Sequence, residues 1–272
     1  MPLLAWIIVF TVLGGVLSVL MASIFLLLPQ GFRTRLLPTL VSFAIGALLG
    51  AAFLALLPDA IVEVGTEQIH FMGIVVLLGL LAFFLLEKMI IWRHCHSHDC
   101  EVHGSTSVAG DTTVHSHNIE QAQTLAAGNL ILIGDGIHNL LDGVLIAAAF
   151  LTDIHLGIVT SVAVIAHEIP QEVGDFAILL QSGFSRAKAL LYNVLTSLTT
   201  VIGGVVAYFA LPIVESMVPY VLAVAASSFI YIAVADLIPG LHKRPEFSAT
   251  AQQVALIILG VMVIYVTHST LH

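Results

Sequence analysis

The chain has 272 residues, of which 59% are hydrophobic and only 9% charged, and its mean hydropathy is +1.07. A soluble domain carries about a quarter charged residues, so this composition excludes an ordinary soluble enzyme. Eight Lys and Arg against 17 Asp and Glu leave a formal charge of −9, which excludes the basic stripe a nucleic-acid binder needs and makes cations the expected partners.

A spanning helix needs roughly 20 apolar residues. Runs of that length predict spans 1 to 8 at 4–28, 36–58, 71–91, 125–150, 156–181, 186–211, 217–239 and 252–271. The fold class is therefore all-α: a polytopic membrane protein of eight transmembrane helices in a single domain, 1–272, surrounded by lipid. A barrel would alternate apolar and polar residues, but Ile74–Phe84 and Ala249–Val266 are apolar on all sides. The first apolar run is too long for a signal peptide and lacks a basic leader, so it reads as a retained span.

Arg33 and Arg35 follow span 1, Lys88 and Arg93 follow span 3, Arg186 and Lys188 follow span 5, and Lys243 and Arg244 follow span 7. All fall on one side, the cytoplasmic one by the positive-inside rule, which places both termini outside. Asp59, Glu63, Glu67, Asp153 and Glu215 then face out, either drawing cations or simply solvating loop ends. Compact loops without targeting segments favour a prokaryotic plasma membrane.

The long polar stretch 92–120 holds His94, Cys95, His96, His98, Cys100, His103, His115 and His117. It reads as a flexible cytoplasmic loop that sequesters metal, or as a linker whose histidines bind it only weakly. In a reducing compartment its cysteines suit coordination better than a disulfide.

The intramembrane polar residues carry the functional argument. Span 4 holds Asp135, His138, Asn139 and Asp142, span 5 holds His167, Glu168, Gln171, Glu172 and Asp175, and span 7 holds Asp236. A charge at the bilayer centre costs about 2.5–3.5 kcal/mol even on a lenient scale, so such residues are functional by default. Residues three and four apart share a helix face, so the span 4 residues form one stripe and those of span 5 form two adjoining ridges. His138 and His167 both fall near mid-span. No Lys or Arg lies in these spans to pair with the acids, which must then pair with something else, be protonated or bind metal. Histidine with carboxylate suits Zn²⁺, Fe²⁺ or Mn²⁺ better than Cu⁺, Mg²⁺ or Ca²⁺. The ligands outnumber what one tetrahedral ion uses, and two neighbouring sites would use them all. Asp135, Asp175 and Asp236 suit relay or helix-packing roles as well as ligation.

Pro170 removes a backbone hydrogen bond beside these residues and predicts a kink in span 5, a transporter trait. Leu56-Leu57-Pro58 ends span 2 outside and Leu237-Ile238-Pro239 ends span 7 inside. This suggests an inverted repeat of spans 1–3 and 6–8 around spans 4 and 5. Glycines such as Gly134, Gly136, Gly143, Gly174, Gly203 and Gly204 suit close helix packing.

Asp135-x-x-His138-Asn139-x-x-Asp142-Gly143 and His167-Glu168-Ile169-Pro170-Gln171-Glu172-Val173-Gly174-Asp175 resemble the signatures of the ZIP family of zinc and iron transporters. The resemblance implies uptake of Zn, or of Fe, Mn or Cd, as substrate rather than cofactor. It implies a homodimer and a binuclear centre built by His138, Asn139, Asp142, His167, Glu168 and Glu172. Three departures stand out. Gln171 replaces a second histidine, Ala51 and Ala55 replace polar residues of span 2, and Leu141 replaces a proline, leaving any kink of span 4 to Gly134 or Gly136.

Alternating access at spans 4 and 5 is the expected mechanism. An intramembrane metalloenzyme is the rival, but a zinc-protease helix needs a histidine where Gln171 stands, so the chain reads as no enzyme. A metal-sensing membrane protein is the third reading, without an output domain to support it.

Overall fold

The computed structural model describes residues 2–95, 113–242 and 246–271, and every regular element among them is helical. Eight helices follow the expected spans: α1 (Leu3–Leu27), α2 (Gln30–Val64), α3 (Ile69–Cys95), α4 (Thr113–Thr152), α5 (Ile154–Gln181), α6 (Arg186–Ala210), α7 (Val218–Leu241) and α8 (Phe247–Leu271). Seven are long and apolar enough to cross a membrane. The other, α5, is 28 residues long and falls short in hydropathy because it carries His167, Glu168, Gln171, Glu172 and Asp175. The protein is an all-α polytopic membrane protein.

The polar stretch 92–120 is helical at both ends, because α3 runs on to Cys95 and α4 begins at Thr113. Its centre, with His96, His98, Cys100 and His103, lies outside the described residues. By backbone alone, His94 and Cys95 end α3 while His115 and His117 belong to the first turns of α4.

A single residue, Asp153, joins α4 to α5. Its carboxylate Oδ1 accepts hydrogen bonds from the backbone N–H of His155 at 2.7 Å and of Leu156 at 3.3 Å, capping two N–H groups that α5 leaves unpaired at its start. So short a turn makes the two helices antiparallel neighbours. His138 lies 15 residues before Asp153 and His167 lies 14 after it, so the turn alone brings both histidines to one depth. At the other end of α5, Gly183 with φ +85° reverses the chain, a backbone region open to glycine, and the Ser185 side chain caps α6.

Neither of the two expected kinks breaks its helix. The α-helix of α5 is continuous through Pro170, and that of α4 through Gly134 and Gly136. The irregular turns lie elsewhere, as π-turns at Leu13–Leu17 in α1, Ala52–Leu56 in α2 and Ile232–Leu237 in α7. The last two stand just before Pro58 and Pro239. A proline ring clashes with the carbonyl four residues back, here that of Leu54 and of Ala235, and a widened turn relieves the clash. Two sequence segments expected to match by repetition thus share the same backbone irregularity. Helix pairing follows the same symmetry: α2 packs on α8 and α3 on α7, while α4 packs on α6 and α5 on α1.

Lipid is as apolar as leucine, so helices in a bilayer associate through close packing rather than through hydrophobic burial. Small residues accordingly fill the interior. Ala44, Ala47, Ala51, Ala52 and Ala55 of α2, Ala147, Ala148 and Ala149 of α4, and Ala223, Ala225 and Ala226 of α7 are all fully buried. Glycines take the tightest crossings. A Cβ on Gly203 would strike the carbonyl oxygen of Leu140, and one on Gly143 would strike that of Thr200, so α4 and α6 touch backbone to backbone. Gly46 and Gly260 serve the α2–α8 crossing in the same way. Leu77, Leu78 and Leu81 of α3 and Ile258, Leu259 and Met262 of α8 are exposed, as lipid-facing residues would be.

Gly203 and Gly174 therefore predict opposite outcomes. Gly203→Val, facing an immovable carbonyl, should cost about 1–3 kcal/mol through overpacking. Gly174→Ala, with nothing within 4 Å of the added Cβ, should be neutral or stabilise by up to about 1 kcal/mol. Thermal unfolding in detergent, followed by helical circular dichroism, checks both.

Candidate metal centre

Four of the expected residues converge where α4 faces α5. His138, Asp142, His167 and Glu168 each turn one ligand atom to a common point, and these atoms all lie within 4.8 Å of one another. His138 Nε2 lies 3.3 Å from His167 Nε2, 3.3 Å from Glu168 Oε1 and 3.8 Å from Asp142 Oδ2. His167 Nε2 lies 3.2 Å from Asp142 Oδ2 and 3.7 Å from Glu168 Oε1. With bonds of about 2.0–2.2 Å, tetrahedral Zn²⁺ sets its ligand atoms about 3.3–3.6 Å apart. These five separations bracket that edge length.

The surroundings orient these groups. The Nδ1–H of His167 donates to the backbone carbonyl of Ala163 at 3.0 Å. A carbonyl only accepts, so Nδ1 holds the proton and Nε2 turns its lone pair to the cluster, the arrangement that fixes metal-binding histidines. The ring of Phe229 from α7 stands edge-on to His167 with centroids 5.9 Å apart and closes that side. Both oxygens of Asp142 and both of Glu168 are buried and accept no well-formed hydrogen bond. His167, Asp142 and Glu168 are closed off, whereas the His138 side chain is 19% exposed.

Asn139 and Glu172 stand apart from the four. Asn139 Nδ2 donates to Asp135 Oδ1 at 2.8 Å and to the Asp135 carbonyl at 3.2 Å, while its Oδ1 accepts from Thr200 Oγ1 at 2.8 Å. The Asn139 side chain thus ties α4 to α6 rather than to α5. Glu172 is fully buried with neither oxygen hydrogen-bonded. Gln171 and Asp175 are half-buried on α5, and Asp236 is exposed within the π-turn of α7.

Sequence reasoning missed α6. Asn193, Ser197 and Thr200 are buried there at offsets 0, 4 and 7, the same one-face spacing that marks the stripe of α4. Being uncharged, they raised no alarm in a search for costly residues.

The geometry agrees with the comparisons. The family described as ZIP Zinc transporter matches residues 2–268. The chain belongs to the ZIP zinc transporter family. ZIP relatives include Zinc transporter ZIP13 of Pongo abelii, 33% identical over 84% of this chain and 65% of that protein. Zinc transporter YKE4 of Saccharomyces cerevisiae is 31% identical over 89% of this chain and 75% of that protein. Zinc transporter ZIP4 of Homo sapiens is 30% identical over 79% of this chain but 40% of its own length. The chain spans about two thirds of the length of the ZIP13 proteins it matches. ZIP proteins are transporters and not enzymes, and metal is their cargo rather than a cofactor. These relatives are eukaryotic and lend nothing to the prokaryotic plasma membrane expected from the compact loops.

The Asn139–Thr200 bond yields a test. Thr200→Val keeps the shape but leaves Asn139 Oδ1 buried without a donor, which costs about 1–3 kcal/mol. The expected result is a lower melting temperature in detergent, and Thr200→Ser should restore it.

Proposed function

We propose that the protein carries divalent transition metal, zinc foremost and Fe²⁺, Mn²⁺ or Cd²⁺ besides, into the cytoplasm through the cluster of His138, Asp142, His167 and Glu168. The observation that carries this reading is the convergence of four ligand atoms within 4.8 Å deep in the helix bundle. Two imidazoles and two carboxylates form a borderline donor set that suits Zn²⁺ and its neighbours. An ion there neutralises two buried carboxylates for which α4 and α5 contain no Lys or Arg.

The basic residues set the orientation, with their side cytoplasmic and the acidic loop ends and both termini outside; inward transport is what the family resemblance implies. An ion that has shed its water binds where His138 opens to the surface, and it displaces protons from whichever ligands hold them. Alternating access then requires the α4–α5 hairpin, with α6 bound to it through Asn139 and Thr200, to shift against the remaining helices.

Zinc influx into liposomes loaded with a zinc-sensitive dye tests this function. His138→Ala should lower influx at least tenfold, whereas Asp153→Asn, which keeps a helix cap far from the cluster, should leave it within twofold of wild type. Wild-type influx through His138→Ala would overturn the assignment.

A further inference from the structure

The basic end of α6 carries a surface that the metal cluster does not use. A cavity of about 250 Å³ lies at the turn between α5 and α6, lined by Gly183, Phe184, Ser185, Lys188 and Tyr192. The rings of Phe184 and Tyr192 meet edge to face with centroids 5.6 Å apart and form its aromatic wall. Lys188 is exposed, as is Arg186 two residues earlier. The Lys188 N–H is taken up by the Ser185 side chain at 3.4 Å, so the charge offered at the cavity is that of the lysine side chain. The chain contains no Asp or Glu from Phe176 to Val214, and neither cation meets a carboxylate among the described residues.

Beyond the cavity the same face of α6 becomes apolar. Lys188, Leu191, Leu195, Leu198 and Ile202 follow one another at intervals of three and four residues and so share one helix face. The four apolar members are all exposed. From Leu191 to Ile202 the strip rises about 16 Å, enough to cover the acyl depth of one leaflet, about 15 Å. A cation at headgroup level above such a strip matches the two ends of a phospholipid. A zwitterionic headgroup brings a cation of its own towards Lys188, whereas the anionic lipids of the cytoplasmic leaflet bring net negative charge.

We propose that the turn between α5 and α6 binds the headgroup of one anionic phospholipid, with Lys188 as its counter-charge and the acyl chains laid along Leu191, Leu195, Leu198 and Ile202. Phe184 and Tyr192 close the cavity at the membrane–water interface, where aromatic rings settle. The lipid bears on the metal path through α6, which is tied to α4 by the bonds of Thr200 to Asn139 at 2.8 Å and of Thr199 Oγ1 to the Gly136 carbonyl at 2.7 Å. Only the choice of the cytoplasmic leaflet rests on the orientation proposed above; the lipid site itself stands whichever way the metal moves.

Native mass spectrometry of the full chain, released from detergent after addition of lipid, counts the lipid retained. Wild type should keep one phosphatidylglycerol in preference to phosphatidylcholine. Lys188→Gln should lower the affinity for phosphatidylglycerol about fivefold, the effect of one charge at a membrane surface, and Lys188→Arg should restore it. Leu195→Asn, which leaves the charge in place, should weaken retention of the same lipid. Each substitution is at an exposed position, and the melting temperature of Lys188→Gln should match wild type, so that lost binding is not lost folding. Unchanged binding in Lys188→Gln would overturn the site. An equal loss in Arg35→Gln, which removes an exposed cation of α2, would overturn it too by showing diffuse attraction to the basic side. Displacement of the lipid by millimolar inorganic phosphate would show a free-anion site in place of a lipid site.

Discussion

Everything in this structure answers to one electrostatic constraint: five carboxylates lie in the membrane-spanning parts of two adjacent helices that contain no Lys or Arg. A charge left alone in hydrocarbon is too costly to keep, and the protein has only polar neutral groups, histidines and visiting cations to offset it. Asp142 and Glu168 meet two imidazoles. Asp135 takes a hydrogen bond from Asn139 for one of its oxygens. Glu172 meets neither an imidazole nor a well-formed hydrogen bond among the described residues, and its polar neighbour is the Asn193 carboxamide.

The fold serves this constraint by precision of placement rather than by strength of burial. A one-residue turn at Asp153 sets the histidines level, so no long-range feature is needed to find their depth. Small residues then let the surrounding helices close tightly on the hairpin, since in lipid close packing is the main attraction available. The same economy appears in the two π-turns. Each absorbs a proline while the helix continues, which keeps α2 and α7 intact beside the site.

Much of this was legible in the sequence because each feature is local. Apolar run length gave all eight helices, and the spacing of Asp135, His138 and Asp142 or of His167 and Glu168 needs only the helical period. What was not legible depends on a third helix. Asn139 shares the stripe of His138, but its side chain is claimed by Thr200 of α6, and no periodicity on α4 reports that. Glu172 is one turn from Glu168 and on the same face, yet a turn is enough to remove it from a cluster only a few ångströms wide. Asn193 escaped because an uncharged amide is not costly on its own. Pro170 removes one backbone donor, yet α5 remains one unbroken α-helix through it.

The pattern of contacts also limits how the site can change its exposure. α4 meets α6 at glycines, backbone against backbone, and two threonines of α6 hydrogen-bond to α4 across that contact. Gly15 of α1 likewise lies against the Ser197 carbonyl of α6. A second body is held by the Gly46–Gly260 crossing of α2 with α8 and by Ser227 of α7, whose hydroxyl donates to the Val76 carbonyl of α3. Sliding within either body would break buried hydrogen bonds and drive glycine contacts into collision, and packed interiors do not deform continuously. Between the bodies, α5 rests on α2 and α8, and among the described residues no glycine close approach crosses that boundary. The four donors of the cluster all belong to α4 and α5, so any displacement along that boundary would carry them together.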